Sequence, residues 1–328
     1  MILAGDVGGT KSNLALVERV DGNLLIRRQR RFPSHEYAQF SVVVAAFLAE
    51  SAEVIASSAA GKIVAAGFGV AGPVIGNRIH VTNLGWELDA GTLARQIGTG
   101  NVRLLNDMEA TAYGLPWLAA GDLCALNAGK PSLHAAQALI AAGTGLGESL
   151  LHWDGDRYII APTEGGHCDF APRNDQEIDL LRYMKKIEAP VSFEMILSGR
   201  GFRTLHEFLD PGVRHPSFDD PHTDPAAEIT RRALEGSCPI CVRALDLWVS
   251  LYGAEAGNLA LKTLSLGGVF VAGGIAPKIM PKMSDGTFLR EFCRKSKFAA
   301  LLADVPIHVV LSEEAPLLGA AAEAARLL

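Results

Sequence analysis

One pattern occurs twice and limits the fold more than any other feature. The stretches "LAGDVGGTKSNLALVERVDGNLLI" (residues 3–26) and "ALIAAGTGLGESLLHWDGDRYIIAP" (residues 138–162) each read as strand, glycine-tipped turn, strand, Asp-Gly turn, strand. Asp-Gly between apolar runs is a strong hairpin signal, because both residues tolerate the φ > 0 that such turns need. Two like units far apart imply duplication rather than a short-period array. Behind the first unit, "KIVAAGFGVAG" and "NRIHVTN" read as strands and "DAGTLARQIG" as a helix. "NVRLLND" follows as a strand and "MEATAYGLPWLA" as the helix leaving it. This βα alternation predicts an α/β fold. Two such domains can face each other across a cleft and hold a phosphate chain from both sides.

The division is read from composition. "CALNAGKPSLHAAQ" is a polar connector, residues 175–262 are mostly helical, and the Pro- and Asp-rich loop 211–224 is exposed. "LGGVFVAGGIAP" is a buried strand ending in a glycine pair. The strand "PIHVVL" and the helix after it are expected to return to the first domain. The expected division is therefore 1–107 plus about 305–328, a small α/β domain, and 108–304, a large one with helical insertions.

Several classes fall away. The 328 residues are 49% apolar and 20% charged, ample for a core. Net charge is −6 with no basic run, which argues against a nucleic-acid partner. No apolar window is long enough to span a bilayer. "MILAGDVGG" has no basic start and its apolar run is broken by Asp6, so it is not read as a secretory signal. Five cysteines, an odd number, do not make a disulfide framework. A cytoplasmic protein is expected. Cys238 and Cys241 form a CxxC, but with no second pair and no HxxxH beside it they read as core material at the start of a long helix, and no metal is assigned.

Four motifs carry candidate chemistry. Gly8 and Gly9 with Asp6, Thr10 and Lys11 fit either a plain hairpin or a phosphate nest beside a metal-positioning carboxylate. "GFGVAG" matches G-x-G-x-x-G, but Pro73 and another strand follow where a dinucleotide site needs a helix. Close approach or tight packing explains those glycines better. "LLNDMEA" places Asn106 and Asp107 at a strand's carboxyl end, where α/β sheets put their ligands; one of the two can cap the following helix, and the pair exceeds what capping needs. "APTEGGHCDFAP" gathers Glu164, His167 and Asp169 around a Gly-Gly turn, a composition suited to a polar ligand.

Together "GDVGGT", "NDMEA", "AAGTGLG", "TEGGHCDFAP", "ILSGRG" and "VAGGIAP" resemble the bacterial glucokinases, in order and spacing, over essentially the whole chain. That family belongs to the sugar kinase, actin and heat-shock ATPase superfamily. The resemblance implies two ribonuclease-H-like (actin-like ATPase) domains with a cleft between them, and ATP-dependent phosphorylation of the glucose 6-hydroxyl. Asp107 would be the general base; Asn106, Glu164, His167 and Glu194 would join it in holding the sugar. Gly5, Asp6, Val7, Gly8, Gly9 and Thr10, with Gly143, Thr144, Gly145, Gly273 and Gly274, would bind ATP. Asp6 would position Mg2+ through water. A homodimer is implied in the same way. Cys168 stands alone where related kinases carry a zinc-binding cysteine cluster, so no zinc is implied there.

The chemistry agrees with that reading on its own terms. Phosphoryl transfer is mostly positioning and charge stabilisation, which asks for nests, a metal and one base. Rivals keep the fold and change the sugar to mannose, fructose or an amino sugar, or make the chain a sugar-sensing repressor or a protein-binding ATPase. A repressor needs a DNA-binding helix-turn-helix before the first strand, and the polyol-suited "EGGH" loop speaks against the ATPase. ATP, ADP and polyphosphate all fit a two-sided nest as donor.

Overall fold

The structure is a computed structural model, and it describes residues 1–81, 84–213, 215, 218, 220 and 223–328. Parts of "NRIHVTN" and of the loop 211–224 lie outside the described residues. Contacts divide the chain into Met1–Asp122 with Ser312–Leu328, and Leu123–Leu311.

The first unit opens with β1 (Ile2–Val7), β2 (Lys11–Val20) and β3 (Asn23–Pro33), an antiparallel meander. Helices α1 (Phe40–Glu50) and α2 (Ala52–Ala56) precede β4 (Ala65–Val70). A hairpin of β5 (Arg78–Val81) and β6 (Trp86–Asp89) leads to α3 (Ala90–Ile97), β7 (Val102–Asn106) and α4 (Asp107–Gly114). The five-stranded sheet has the order β3-β2-β1-β4-β7, with β4 parallel to both β1 and β7. β1 and β4 are central and covered on both faces, which is why they read as unbroken apolar runs. β3 lies at the edge, and its arginines face outward: Arg28 and Arg30 meet Glu50 of α1, and Arg30 also covers the Phe32 ring. Charge along an edge strand deters pairing with another chain.

The second unit repeats the plan. After β8 (Leu123–Asn127) come β9 (Gln137–Ala142), β10 (Leu146–Trp153) and β11 (Tyr158–Thr163), again antiparallel. Four helices follow: α5 (Asp175–Met184), α6 (Gly199–Leu209), α7 (Pro225–Leu234) and α8 (Pro239–Thr263). Then come β12 (Gly268–Ala272), α9 (Met280–Met283), α10 (Thr287–Cys293), α11 (Ala299–Ala303) and β13 (Ile307–Val310). The order β11-β10-β9-β12-β13-β8 contains the first sheet's order with one strand added. α8 is buried on several faces, with Trp248 and Tyr252 at the centre of the unit's core.

Two expectations change. "CALN" is not part of a connector but of β8, antiparallel to β13 at the edge of the sheet, and its five residues are only partly buried. The division also moves. β13 pairs in parallel with β12, Val269 opposite Ile307, so its ladder bonds keep it in the second unit. Only α12 (Ala315–Ala325) returns to the first unit, while α4 stays there. Glycines bring α12 and α4 together: a Cβ on Gly114 would lie 1.9 Å from the Ala315 carbonyl oxygen, and one on Gly319 would lie 1.8 Å from that of Ala110. Two of the three "GFGVAG" glycines serve the same packing. A Cβ on Gly67 would strike the Ala320 carbonyl at 2.0 Å, and one on Gly69 the Ala110 Cβ at 2.5 Å.

Candidate active site

In the first unit the candidate residues gather at the carboxyl ends of β1 and β7. The β1–β2 turn closes when the Gly8 N–H donates to the Lys11 carbonyl at 3.0 Å. The Ser34 hydroxyl donates to the Gly8 carbonyl at 2.8 Å, and the Ser34 N–H to the Thr10 carbonyl at 3.0 Å. The turn is thus fixed from behind, with Thr10 exposed at its tip. Gly5 and Val7 face inward. A Cβ on Gly5 would reach Phe68 at 2.6 Å, and the Val7 side chain is fully buried.

At β7 the neighbouring acid and amide divide their work. Asn106 is the helix cap: its side-chain oxygen accepts the Met108 N–H at 2.9 Å, and Glu109 accepts the Asn106 N–H at 3.1 Å, which together make a capping box. Its Nδ2 donates to the Gly72 carbonyl at 3.1 Å. Asp107, the first helical residue, accepts the Met108 N–H at 2.9 Å, and its carboxylate is near enough to act electrostatically on Asp6. Burial first, and the Asp107 charge second, push the Asp6 carboxyl up to about 6. Asn13 donates to Asp6 at 3.5 Å and partly offsets this. In the sheet register bare Gly69 lies opposite Asp6, next to the start of α4. A divalent cation beside Asp6 would offset the cost of ionising its buried carboxyl.

In the second unit Glu194 is the hub. Its Oε2 accepts the Leu146 N–H at 3.1 Å and stands 3.8 Å from His167 Nε2, while Oε1 is 3.5 Å from the Arg200 guanidinium. The loop carrying Glu164 and His167 is a turn of 3-10 helix, with the His167 N–H donating to the Glu164 carbonyl at 3.0 Å. It is tied to the 191–194 segment by Glu194 N–H to Gly166 carbonyl and Phe193 N–H to Cys168 carbonyl, at 2.8 and 3.0 Å. Asp169 pairs with Ser192 in an isolated bridge, the local role open to it in the sequence. At the β9–β10 turn the Gly143 N–H donates to the Gly145 carbonyl, and the Gly199 N–H at the start of α6 donates to the Gly143 carbonyl, both at 2.9 Å. Thr144 is exposed at the tip. Gly273 has φ +86°, and a Cβ there would lie 2.3 Å from the Ala142 carbonyl; around Gly274 the space is open. The β9–β10 glycine turn, the polar loop and the Gly273–Gly274 pair are thus brought together in one unit.

Two groups escaped the sequence reading. Arg200, in "LSGRG", reaches Glu194 from α6. Glu148 is an inward residue of β10 whose carboxyl burial pushes up to about 7, with Glu255 adding to the effect. It lies directly under the polar loop, where a Cβ on Gly165 would strike its Oε2 at 2.1 Å. "LGESLLHW" carries no alternation that marks Glu148, because β10 is buried on both faces. The reading of Cys238 and Cys241 also needs correction. Both are buried as expected, but they do have histidine partners. His215 Nε2 stands 3.4 Å from Cys238 Sγ and 3.6 Å from Cys241 Sγ, and His206 completes the group. No short sequence spacing joins these four.

Two copies of a meander followed by parallel strands, each with a glycine turn at the end of its first strand, define a protein of the actin-like ATPase fold. The family model described as Glucokinase matches residues 3–327. The glucokinase of Nostoc sp. (strain PCC 7120 / SAG 25.82 / UTEX 2576) is 38% identical, over 100% of this chain and 99% of that protein. That of Cronobacter sakazakii (strain ATCC BAA-894) is 32% identical, over 98% and 95%. The crystal structure of a glucokinase from an Antarctic psychrotroph superposes with a TM-score of 0.84 at 29% identity, covering 99% of this chain and 98% of that one. A ROK family glucokinase from Streptomyces griseus, solved with glucose and AMPPNP, shares the fold at TM-score 0.66 and 20% identity, over 99% of both chains. The chain belongs to the glucokinase family, and it is a kinase.

Proposed function

We propose that the protein transfers the γ-phosphoryl group of ATP to the 6-hydroxyl of D-glucose, giving glucose 6-phosphate and ADP. The observation that carries the mechanism is the division of labour at the start of α4. Asn106 and Glu109 supply the capping box, so the helix does not depend on Asp107 for its cap. Asp107 accepts the hydroxyl proton as the sugar oxygen attacks the γ-phosphorus and the bond to the β-phosphate oxygen breaks. A carboxylate poised at a weakly acidic hydroxyl contributes about 10²–10⁴-fold.

Glu164, His167, Glu194 and Asn106 hydrogen-bond the remaining hydroxyls. In each glycine turn the first glycine's N–H is spent closing the turn. The amides offered to phosphate are therefore those that follow, from Gly9 and Thr10 and from Thr144 and Gly145. The open space at Gly274 supports adenosine approach there. Mg2+ fits beside Asp6, whose raised carboxyl would gain from a cation; bound there, it would neutralise phosphate charge. Among the described residues no helix is long and apolar enough to cross a membrane. We also propose a cytoplasmic homodimer with no nucleic-acid or membrane partner; the resemblance to the family supports the homodimer, and the net charge of −6, the short apolar windows and the five cysteines support the rest.

A coupled assay over glucose, mannose, fructose and glucosamine, each with ATP, ADP and polyphosphate, tests the reading. Highest kcat/KM with glucose and ATP is expected. A tenfold or greater preference for another hexose or donor, as a round threshold of about 1.4 kcal/mol, would replace the assignment.

A further inference from the structure

We propose a structural zinc site in the second unit, formed by His206, His215, Cys238 and Cys241. One ligand atom from each lies within 4.8 Å of all the others. His206 comes from the last turn of α6 and His215 from the loop after it; Cys238 caps α8 and Cys241 is in its first turn. The spacing is H-x8-H, then 22 residues, then C-x2-C, so the group exists only once α6 and α8 pack together.

Three observations point to an ion rather than to ordinary packing. The first is geometry. Zn–S bonds of about 2.3 Å and Zn–N bonds of about 2.0 Å in a tetrahedron set N···S separations of roughly 3.5 Å. Those of His215 Nε2 from the two sulfurs are 3.4 and 3.6 Å. The second is an unmet demand. His206 is fully buried, and neither Nδ1 nor Nε2 has a hydrogen-bond partner. A buried ring nitrogen without a partner is costly, and coordination removes that cost. Hydrogen bonding within the cluster accounts for His215 and the sulfurs but leaves His206 unexplained. The third is the enclosure. Phe218 stands edge-on to both rings, at 5.2 Å from His206 and 5.0 Å from His215, and Cys238 and Cys241 are buried. Two thiolates and two imidazoles in a closed four-ligand shell suit zinc in a structural role, with no position left for a substrate.

Binding Zn2+ releases the two thiol protons to solvent, and no oxidant or reductant is needed. The ion would staple the loop after α6 to the start of α8. α6 begins at Gly199, which donates to the carbonyl of Gly143 in the phosphate turn, so the staple steadies the helix behind that turn.

The test is elemental analysis of the full-length protein purified without chelator, with thiols counted in parallel. One zinc per chain is expected, falling at least tenfold in Cys238→Ser/Cys241→Ser and in His206→Gln. Replacement by Co2+ should give the intense visible bands of a tetrahedral thiolate-bound ion, reduced by His215→Gln. Because the variants can misfold, the wild-type chain is also stripped with a strong chelator and reloaded. Its Tm should fall and be restored by Zn2+ but not by Mg2+. Folded wild-type protein with no zinc, no cobalt spectrum and all thiols reduced would overturn the site. So would zinc-free protein with two thiols lost to a Cys238–Cys241 disulfide, or variants that keep their zinc.

Discussion

The two glycine hairpins share a topology but not a chemistry. Two residues before its first turn glycine the β1 hairpin carries Asp6; the β9 hairpin carries Ala141 at that place. The strand two places along from each also differs: β7 runs into Asn106 and Asp107, while β13 runs into Val310 and Leu311. The first unit therefore concentrates carboxylates at the ends of its parallel strands. The second has none there and holds its acids, Glu194 and Glu148, against the polar loop instead. The two turns have similar shape but different surroundings, and under the proposed function the first unit carries the base and the metal-directed acid and the second the sugar-directed groups.

The comparison breaks most sharply at Asp107. Asp107→Asn keeps shape and capping ability, so the variant should fold and bind glucose while kcat falls about 10²–10⁴-fold. Near-normal kcat would remove the functional asymmetry of the two units. Asp6 comes next, and here stability and function should oppose each other. Its folded carboxyl is raised to about 6 from an ordinary 3.8, so the folded state holds the proton more tightly than the unfolded chain does. The sign follows: folding is favoured by protonation at low pH, and that advantage is lost as pH rises from about 4 through 6, leaving an ionised, destabilising Asp6 at neutrality. Asp6→Asn should then be more stable than the parent at pH 7.5, by on the order of 2 kcal/mol in denaturant melts without Mg2+. At the same time its KM for MgATP should rise. A loss of stability instead would mean that Asp6 is a structural acid.

Glu164→Gln and His167→Ala sharpen the second unit's side. Each should weaken glucose binding by roughly 1.5–3 kcal/mol in calorimetry and leave nucleotide affinity nearly intact. Equal weakening of both ligands would place them elsewhere. The smallest effect belongs to the second turn. A methyl on Gly143 meets open space, so Gly143→Ala should change stability by less than about 0.5 kcal/mol. Gly145→Ala pushes on the Glu194 carboxylate, 2.5 Å from the added carbon, and should raise the glucose KM although it lies in the β9–β10 glycine turn. No difference between the two would deny the Glu194 link.

How much of this was written in the chain depends on the range of the interactions. "NDME" carries a capping box within four residues, and "VERVDGNLL" and "LHWDGDRY" carry their hairpins locally, so these could be read directly. β8 could not. It is a short edge strand of five partly exposed residues, paired with residues about 180 positions away, and it runs straight into a polar Gly- and Pro-bearing stretch. β13 was placed in the wrong unit because proximity in sequence to α12 outweighed a pairing that only the sheet reveals. His206 and His215 give no signal next to CxxC, since their meeting depends on how α6 packs on α8. For "GFGVAG" close approach or tight packing was expected; Gly67 and Gly69 do pack tightly, but the partner of Gly67 in α12 lies at the far end of the chain.

That last contact has a consequence for the order in which the molecule is made. α4, which begins with Asp107, is backed by α12 through contacts too close for any side chain at Gly114 and Gly319. α12 follows the entire second unit in the sequence. On the ribosome the first unit to emerge is therefore the last to be completed, and its sheet waits with the α12 face uncovered while nearly two hundred further residues are translated. The second unit can close its own core before then, and the helix that begins with Asp107 gains its backing only when α12 leaves the exit tunnel.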